Sequence, residues 1–333
     1  MKRPGSSVTF DDYASKVFLP YVLSWFEKHE RVNVVWDVYQ KDSLKAETRR
    51  ERGAGIRRRV TATTKIPGNW ASFLRVDENK EELFTFLAEK MRTANVPQDK
   101  LLITTLKDSA ISNPPRDLTD IAPCDHEEAD TRVFLHVYAA SLDGHSKVTI
   151  RANDSDIVVI AVSQFHKMRQ LQELWIIFGT GNNVKYIPVH YITELMGYKV
   201  LGLLAFHSIT GCDTTSSFFG KGKKTAWKVW EEHPELTSTF KTLSKPNVKV
   251  SDVKRAMSSI QNFVVHLYGV HDEDILTCDS ARAFLFDKGQ PFENLPPTAD
   301  VLLLHLLRAS FQASTLRFNF FKSINNAIFI HQM

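Results

Sequence analysis

The chain has 333 residues, 43% of them hydrophobic and 24% charged, with a formal net charge of +4. This is enough apolar material for one large core or two modest ones beneath an ordinary charged surface, so a folded globular protein is expected. No stretch approaches the roughly 18 to 20 continuous apolar residues of a membrane span, and the opening MKRPGSSVTFDDYASK lacks the apolar centre of a signal peptide, which points to an intracellular address with no membrane partner. Cys124, Cys212 and Cys278 are odd in number and form no CxxC pair. That excludes a disulfide framework and a zinc finger, and the three read as reduced core thiols.

In chain order, YASKVFLPYVLSWFEKH (13 to 29) carries Val17, Tyr21 and Trp25 at helical intervals, with Pro20 expected to kink or delay the helix. Just before it, Asp11 and Asp12 read as helix-cap residues. VNVVWDVY (32 to 39) is rich in valine and aromatics and predicts a buried strand. The segment from Lys45 to Lys65 then carries eight basic residues against Glu47 and Glu51, interrupted by Gly53 and Gly55. It fits a solvated face or nuclear-import-like cluster as well as a phosphate-contacting arm, and composition alone leaves the two even.

NKEELFTFLAEKMRTA (79 to 94) predicts an amphipathic helix and KLLITTL (100 to 106) a strand. CDHEEADTRVFLHVYAASL (124 to 142) predicts a helix with acids in its first turn. KVTIRA and DIVVIAV read as strand on either side of Asp154, and LWIIFG and VKYIPV as two further short strands. Strands alternating with helices predict an α/β fold with a mainly parallel sheet. From ITELMGYKVLGLLAFHSITGCD onward the pattern is helical, and no internal repeat is evident. His136, His207 and His305 fall on apolar faces and read as packed residues, and the apolar end FNFFKSINNAIFIHQM as a tail that either docks on the core or stays unstable.

The candidate chemistry lies in the acids. In an open α/β sheet, ligands bind beyond the carboxyl ends of the strands, where Asp37, Glu128, Asp130, Asp154, Asp156 and Asp213 are expected to converge. Carboxylates gathered without histidine or thiol partners select Mg²⁺ or Mn²⁺ over zinc. Two such ions, about 3.5 to 4 Å apart, support in-line hydrolysis of a phosphodiester. Taken singly, each acid is explained as well by capping a helix or complementing its dipole. In the turn FFGKGKKTAW, Gly220 and Gly222 permit close backbone approach to a phosphate, and Lys221, Lys223 and Lys224 supply charge. It is not a nucleotide-binding P-loop, because no strand leads into it and the required ending is absent.

Four motifs in order carry a resemblance to the flap endonuclease branch of the PIN-like nucleases. EEADTRVFL resembles that family's Glu-Ala-Glu-Ala motif, with Glu128 and Asp130 in the acidic positions. RANDSDIVVIAV resembles its Glu-Asp-Ser-Asp-Leu strand, giving Asp154 and Asp156. LLAFHSITGCDTTSSFFGKGKKTAWKVWEE resembles its Leu-Gly-Cys-Asp segment and the helix-two-turn-helix that follows, giving Asp213. VNVVWDVYQKDSLKAETRRERG resembles its Val-Phe-Asp-Gly strand and basic helix, giving Asp37 with Arg49 and Arg50 nearby.

The likeness spans roughly residues 30 to 235 and departs from the family in three ways. The family's first N-terminal strand and its aspartate have no counterpart, Val38 and Tyr39 stand where the family has Gly-Lys, and Asp130 replaces a glutamate. The resemblance implies a Rossmann-like PIN domain over 1–205, N-terminally incomplete, a helix-two-turn-helix-like element for DNA over 206–240, and a helical extension over 241–333. It further implies a structure-specific nuclease using two Mg²⁺ or Mn²⁺ ions, acting on DNA ahead of RNA, nuclear ahead of cytoplasmic. The alternative is a catalytically degenerate module of the same fold that binds nucleic acid or protein.

Overall fold

The computed structural model describes residues 1–39, 55–124 and 129–330, and of 318–330 the backbone only. Glu128, Arg49, Arg50 and the part of the basic segment before Gly55 therefore lie outside the described residues. The chain divides into two compact units, one of residues 1–139 with 323–333 and one of residues 140–322, and each is described by itself.

The first unit begins with a capped helix. Thr9 accepts the Asp12 backbone N–H (3.2 Å) while the Asp12 carboxylate takes the Thr9 N–H (3.2 Å), the reciprocal arrangement that satisfies two free donors at a helix start. This opens α1 (Phe10–Tyr13), and the chain continues through a π-helical turn (Ala14–Phe18) into α2 (Leu19–Leu23). Pro20 lies in the first turn of α2, directly after the π-helical turn, so the helix runs on past it. The capping role expected for Asp12 is met, and Asp11 pairs instead with Lys90.

Then follow β1 (Arg31–Val34), α3 (Trp70–Phe73), α4 (Asp77–Arg92), β2 (Leu101–Leu106), β3 (Ser109–Asn113) and α5 (Ala129–Leu142). β1 runs parallel to β2 with Arg31 opposite Leu101, and β2 pairs antiparallel with β3 with Leu106 opposite Ser109. Phe10, Tyr13, Phe73, Leu83 and Leu87 form the fully buried centre of this unit. The amphipathic face predicted for 79 to 94 is thus the face that α4 turns inward.

The second unit repeats this strand plan. β4 (Lys147–Ala152) leads through α6 (Ser155–Gln164) to β5 (Glu173–Phe178), which runs parallel to β4 from Lys147 opposite Glu173 to Ala152 opposite Phe178. β6 (Lys185–Pro188) closes the sheet antiparallel to β5. The rest is helical: α7 (Val189–Met196), α8 (Leu203–Ile209), α9 (Lys223–Glu232), α10 (Leu236–Leu243), α11 (Val250–Leu267), α12 (Cys278–Asp287) and α13 (Ala299–Ile330). Trp230 is completely buried, with the rings of Phe206 and Phe240 within 5.0 Å of it.

The protein is α/β, and two expectations are corrected. Among the described residues, in place of one mainly parallel sheet there are two three-stranded sheets, each with one parallel and one antiparallel pair. DIVVIAV, expected as strand, is helix. Asp154 adopts an extended backbone and its Oδ1 accepts the Asp156 N–H at 2.9 Å, an N-cap that starts α6 two residues after β4 ends. A short apolar run is ambiguous in period, and the cap outweighs the strand preference of its Ile and Val. Cys124 and Cys278 are free and buried, and Cys212 is free and half-buried.

Candidate functional site

Two motif neighbourhoods, one in each unit, hold the acids. In the first unit the chain leaves β1 through Trp36, whose backbone N–H donates to Thr105 Oγ1 (2.9 Å) and whose indole N–H donates to Thr104 Oγ1 (2.9 Å). These bonds to the central strand set Asp37 beyond the carboxyl end of β1. There Asp37 Oδ1 accepts the Ala129 N–H at 2.9 Å, and the Tyr39 hydroxyl donates to Oδ2 at 3.4 Å. Asp37 is exposed, and it supplies negative charge to the start of α5, where free N–H groups favour it. Asp130 is half-buried in the first turn of that helix.

Behind it, Arg132 is completely buried and ties α5 to the hairpin between β2 and β3. Its guanidinium donates to the carbonyls of Lys107, Asp108 (3.3 Å) and Ser109 (2.7 Å). Buried His136 places Nδ1 3.2 Å from Asn33 Oδ1, and burial together with the Arg132 and Arg31 charges pushes its pKa down to about 3.

The second neighbourhood is denser. The Asp156 carboxylate, in the first turn of α6, meets His207 from α8, with Oδ1 3.1 Å from Nε2. Both side chains are withdrawn from solvent, the imidazole 5% exposed and the carboxylate 15%. All seven residues of α8 are buried. The Lys223 ammonium, from the first residue of α9, turns back onto the end of α8 and donates to the His207 carbonyl (2.8 Å), Thr210 Oγ1 (2.9 Å) and the Gly211 carbonyl (2.6 Å). Although the residue as a whole stays exposed, its charged end is enclosed. Burial pushes its pKa down, while Cys212 and Asp156 push it back up. The Thr215 hydroxyl donates to the Ser208 carbonyl at 2.7 Å, which folds the exposed Asp213 loop against the same helix end.

Two stretches far apart in sequence therefore meet in this unit: the motif holding Asp154 and Asp156, and the segment that runs through Asp213 into the glycine-lysine turn. The turn is built differently from expectation. Gly220 has φ of +67°, and Gly222 precedes the first residue of α9. Lys221 lies over the Tyr268 ring at 5.0 Å, Lys223 is engaged as described, and Lys224 is exposed. Of the basic segment, Arg57 is committed within the first unit, donating to Asn79 Oδ1 at 2.9 Å and pairing with Glu82.

His207 reads from the sequence as a packed residue, and its contact with Asp156 is what that reading lacks. The available signal was an imidazole inside an otherwise apolar buried helix, since buried polar groups require partners.

Among the described residues, no three His, Cys, Asp or Glu side chains stand together as a ready-made metal site, and no helix is long and apolar enough to cross a membrane. The donors adjacent in the second unit, Asp154 and Asp156, are hard oxygens. One or two carboxylates are the usual protein contribution to Mg²⁺, which keeps several waters and takes further ligands from substrate phosphates, so the donor set fits such an ion. No protein-family model, curated protein or solved structure matches this chain.

Proposed function

We propose that this protein is a divalent-metal-dependent nuclease of the PIN-like, flap endonuclease type, hydrolysing phosphodiester bonds in DNA ahead of RNA. The observation that supports this reading is the meeting of Asp156, His207 and Lys223 just beyond the carboxyl end of β4. That is where α/β sheets carry their ligands. Asp154 and Asp156 would hold a Mg²⁺ or Mn²⁺ ion, with Asp213, on the loop that Thr215 folds against the end of α8, the next acid of the set. Asp37, Glu128 and Asp130 are the remaining acids of the two-ion set the resemblance implies. When bound, such ions lower the pKa of an attacking water and stabilise the leaving oxygen. The chain's own contributions are to hold the carboxylates and, through Gly220, Lys221, Gly222 and Lys224, to contact the nucleic-acid backbone. A nuclear location accords with this reading.

One observation favours the second reading, a degenerate module that binds without cutting. Lys223 is turned inward onto protein oxygens, away from any phosphate it would grip. The test is cleavage of end-labelled 5′-flap, hairpin and single-stranded DNA and RNA in Mg²⁺, Mn²⁺ or EDTA. Metal-dependent cutting that disappears in Asp156→Asn, with nucleic-acid binding retained, supports the nuclease. Binding without cutting by the folded protein supports the module.

A further inference from the structure

The backbones on both sides of the Asp156–His207 contact are fixed independently of the contact itself. On one side, Asp154 caps α6 through the Asp156 N–H at 2.9 Å, which sets the position of the Asp156 backbone. On the other, Lys223 Nζ lies 2.8 Å from the His207 carbonyl and 2.6 Å from that of Gly211. Thr210 Oγ1 donates to the Phe206 carbonyl at 2.7 Å and Thr215 Oγ1 to that of Ser208 at 2.7 Å. An aspartate in the first turn of a helix has several staggered rotamers open to it, and the backbone alone does not choose among them. The imidazole restricts that choice: with Nε2 at 3.1 Å from Oδ1, it favours the rotamers that keep Oδ1 toward α8.

We propose that His207 is a positioning residue for Asp156, donating its Nε2–H to Oδ1 and so presenting the carboxylate to the metal ion in one orientation. Lys223 acts one step behind, by holding the helix end that carries His207. This inference rests on the nuclease reading, because it assigns His207 a task at that same site. Groups that orient a metal's ligands typically affect metal affinity or activity by about tenfold to 100-fold when removed.

Two substitutions separate positioning from packing. His207→Gln keeps an N–H donor of similar reach, whereas His207→Leu fills the space without one. Each is compared with the wild-type full chain for thermal unfolding, for Mn²⁺ affinity by electron paramagnetic resonance, and for kcat and KM in cleavage. The expected result is that His207→Leu, still folded, loses about tenfold or more in Mn²⁺ affinity and in kcat with KM for nucleic acid unchanged, while His207→Gln recovers most of both.

Equal Mn²⁺ affinity and kcat in wild type and His207→Leu would overturn the positioning role while leaving the nuclease intact. A folded His207→Gln as impaired as His207→Leu would also overturn it, since donation would not be what the site uses. A wild-type protein that neither binds Mn²⁺ nor cuts would overturn the nuclease reading, and this role with it.

Discussion

Asp37 and Asp156 both follow the carboxyl end of a parallel strand, in two three-stranded sheets of the same plan, yet the structure gives them different neighbours. Asp37 is exposed and binds the backbone N–H that opens α5. Asp156 leaves its helix start to be capped by Asp154 and turns its own carboxylate to a buried imidazole. An acid after a strand is therefore one sequence signal with two physical outcomes. It caps a helix when solvent and free N–H groups are its neighbours, and it meets a buried imidazole when a second residue takes over the capping. The cationic anchors differ in parallel. Arg132 is wholly buried in the first unit and Lys223 is half-enclosed in the second, and each holds a set of carbonyl and hydroxyl oxygens.

The sharpest way to break this comparison is at the anchors. Arg132→Met should destabilise the first unit by roughly 3 kcal/mol or more, because it strands the carbonyls of Lys107, Asp108 and Ser109 in the interior. Chemical denaturation followed by Trp fluorescence would read this, and a loss below about 1 kcal/mol would show that water replaces the guanidinium without cost.

Acidification comes next. His136 has a native pKa of about 3, depressed chiefly by burial, against an ordinary value near 6.5. The unfolded chain therefore takes up a proton that the native state refuses. The sign follows: stability is fully present above about pH 6.5 and is lost as pH falls through the window toward 3, by roughly 2 kcal/mol at pH 5. His136→Gln should flatten that part of the profile, and an unchanged slope between pH 7 and 5 would remove His136 as its source.

A smaller effect separates two neighbouring lysines. Lys223→Met should lower stability by roughly 1.5 kcal/mol through the loss of charge-assisted bonds to the α8 end. Lys224→Met should leave stability unchanged and instead weaken nucleic-acid binding, with a salt dependence shallower by about one unit of slope. Salt-titrated fluorescence anisotropy beside thermal unfolding distinguishes them, and matching behaviour of the two variants would contradict the inward role of Lys223.

Much of this fold can be read in the sequence because its signals are local. The period of NKEELFTFLAEK, the valine and isoleucine runs of β4 and β5, and the Thr9 to Asp12 cap are each decided within a few residues. β3 was not legible. Ser109 and Asn113 make it too polar for a strand pattern, and it forms because β2 offers a paired edge across the turn at Lys107. The α6 run was misread because its apolar residues suit a strand or a buried helix equally, and one side-chain bond from Asp154 decides between them. At the site, the acids stand out as residue types, but their partners do not. His207 lies 51 residues from Asp156, and Lys223 reaches back 16 residues to its carbonyl, so neither role exists before the chain has folded. The Lys223 side chain, which reads as an exposed phosphate contact, is redirected because the unpaired carbonyls at the end of a helix attract a cation.

The most direct test of the central claim, that the second neighbourhood and not Asp37 alone carries the chemistry, is a side-by-side measurement on Asp156→Asn and Asp37→Asn. Metal-dependent cleavage and nucleic-acid affinity are read for both variants and for wild type on the same end-labelled substrates. The account predicts that Asp156→Asn loses cleavage by about 100-fold or more with affinity unchanged, and that Asp37→Asn loses less. Cleavage that survives Asp156→Asn while failing in Asp37→Asn would contradict it.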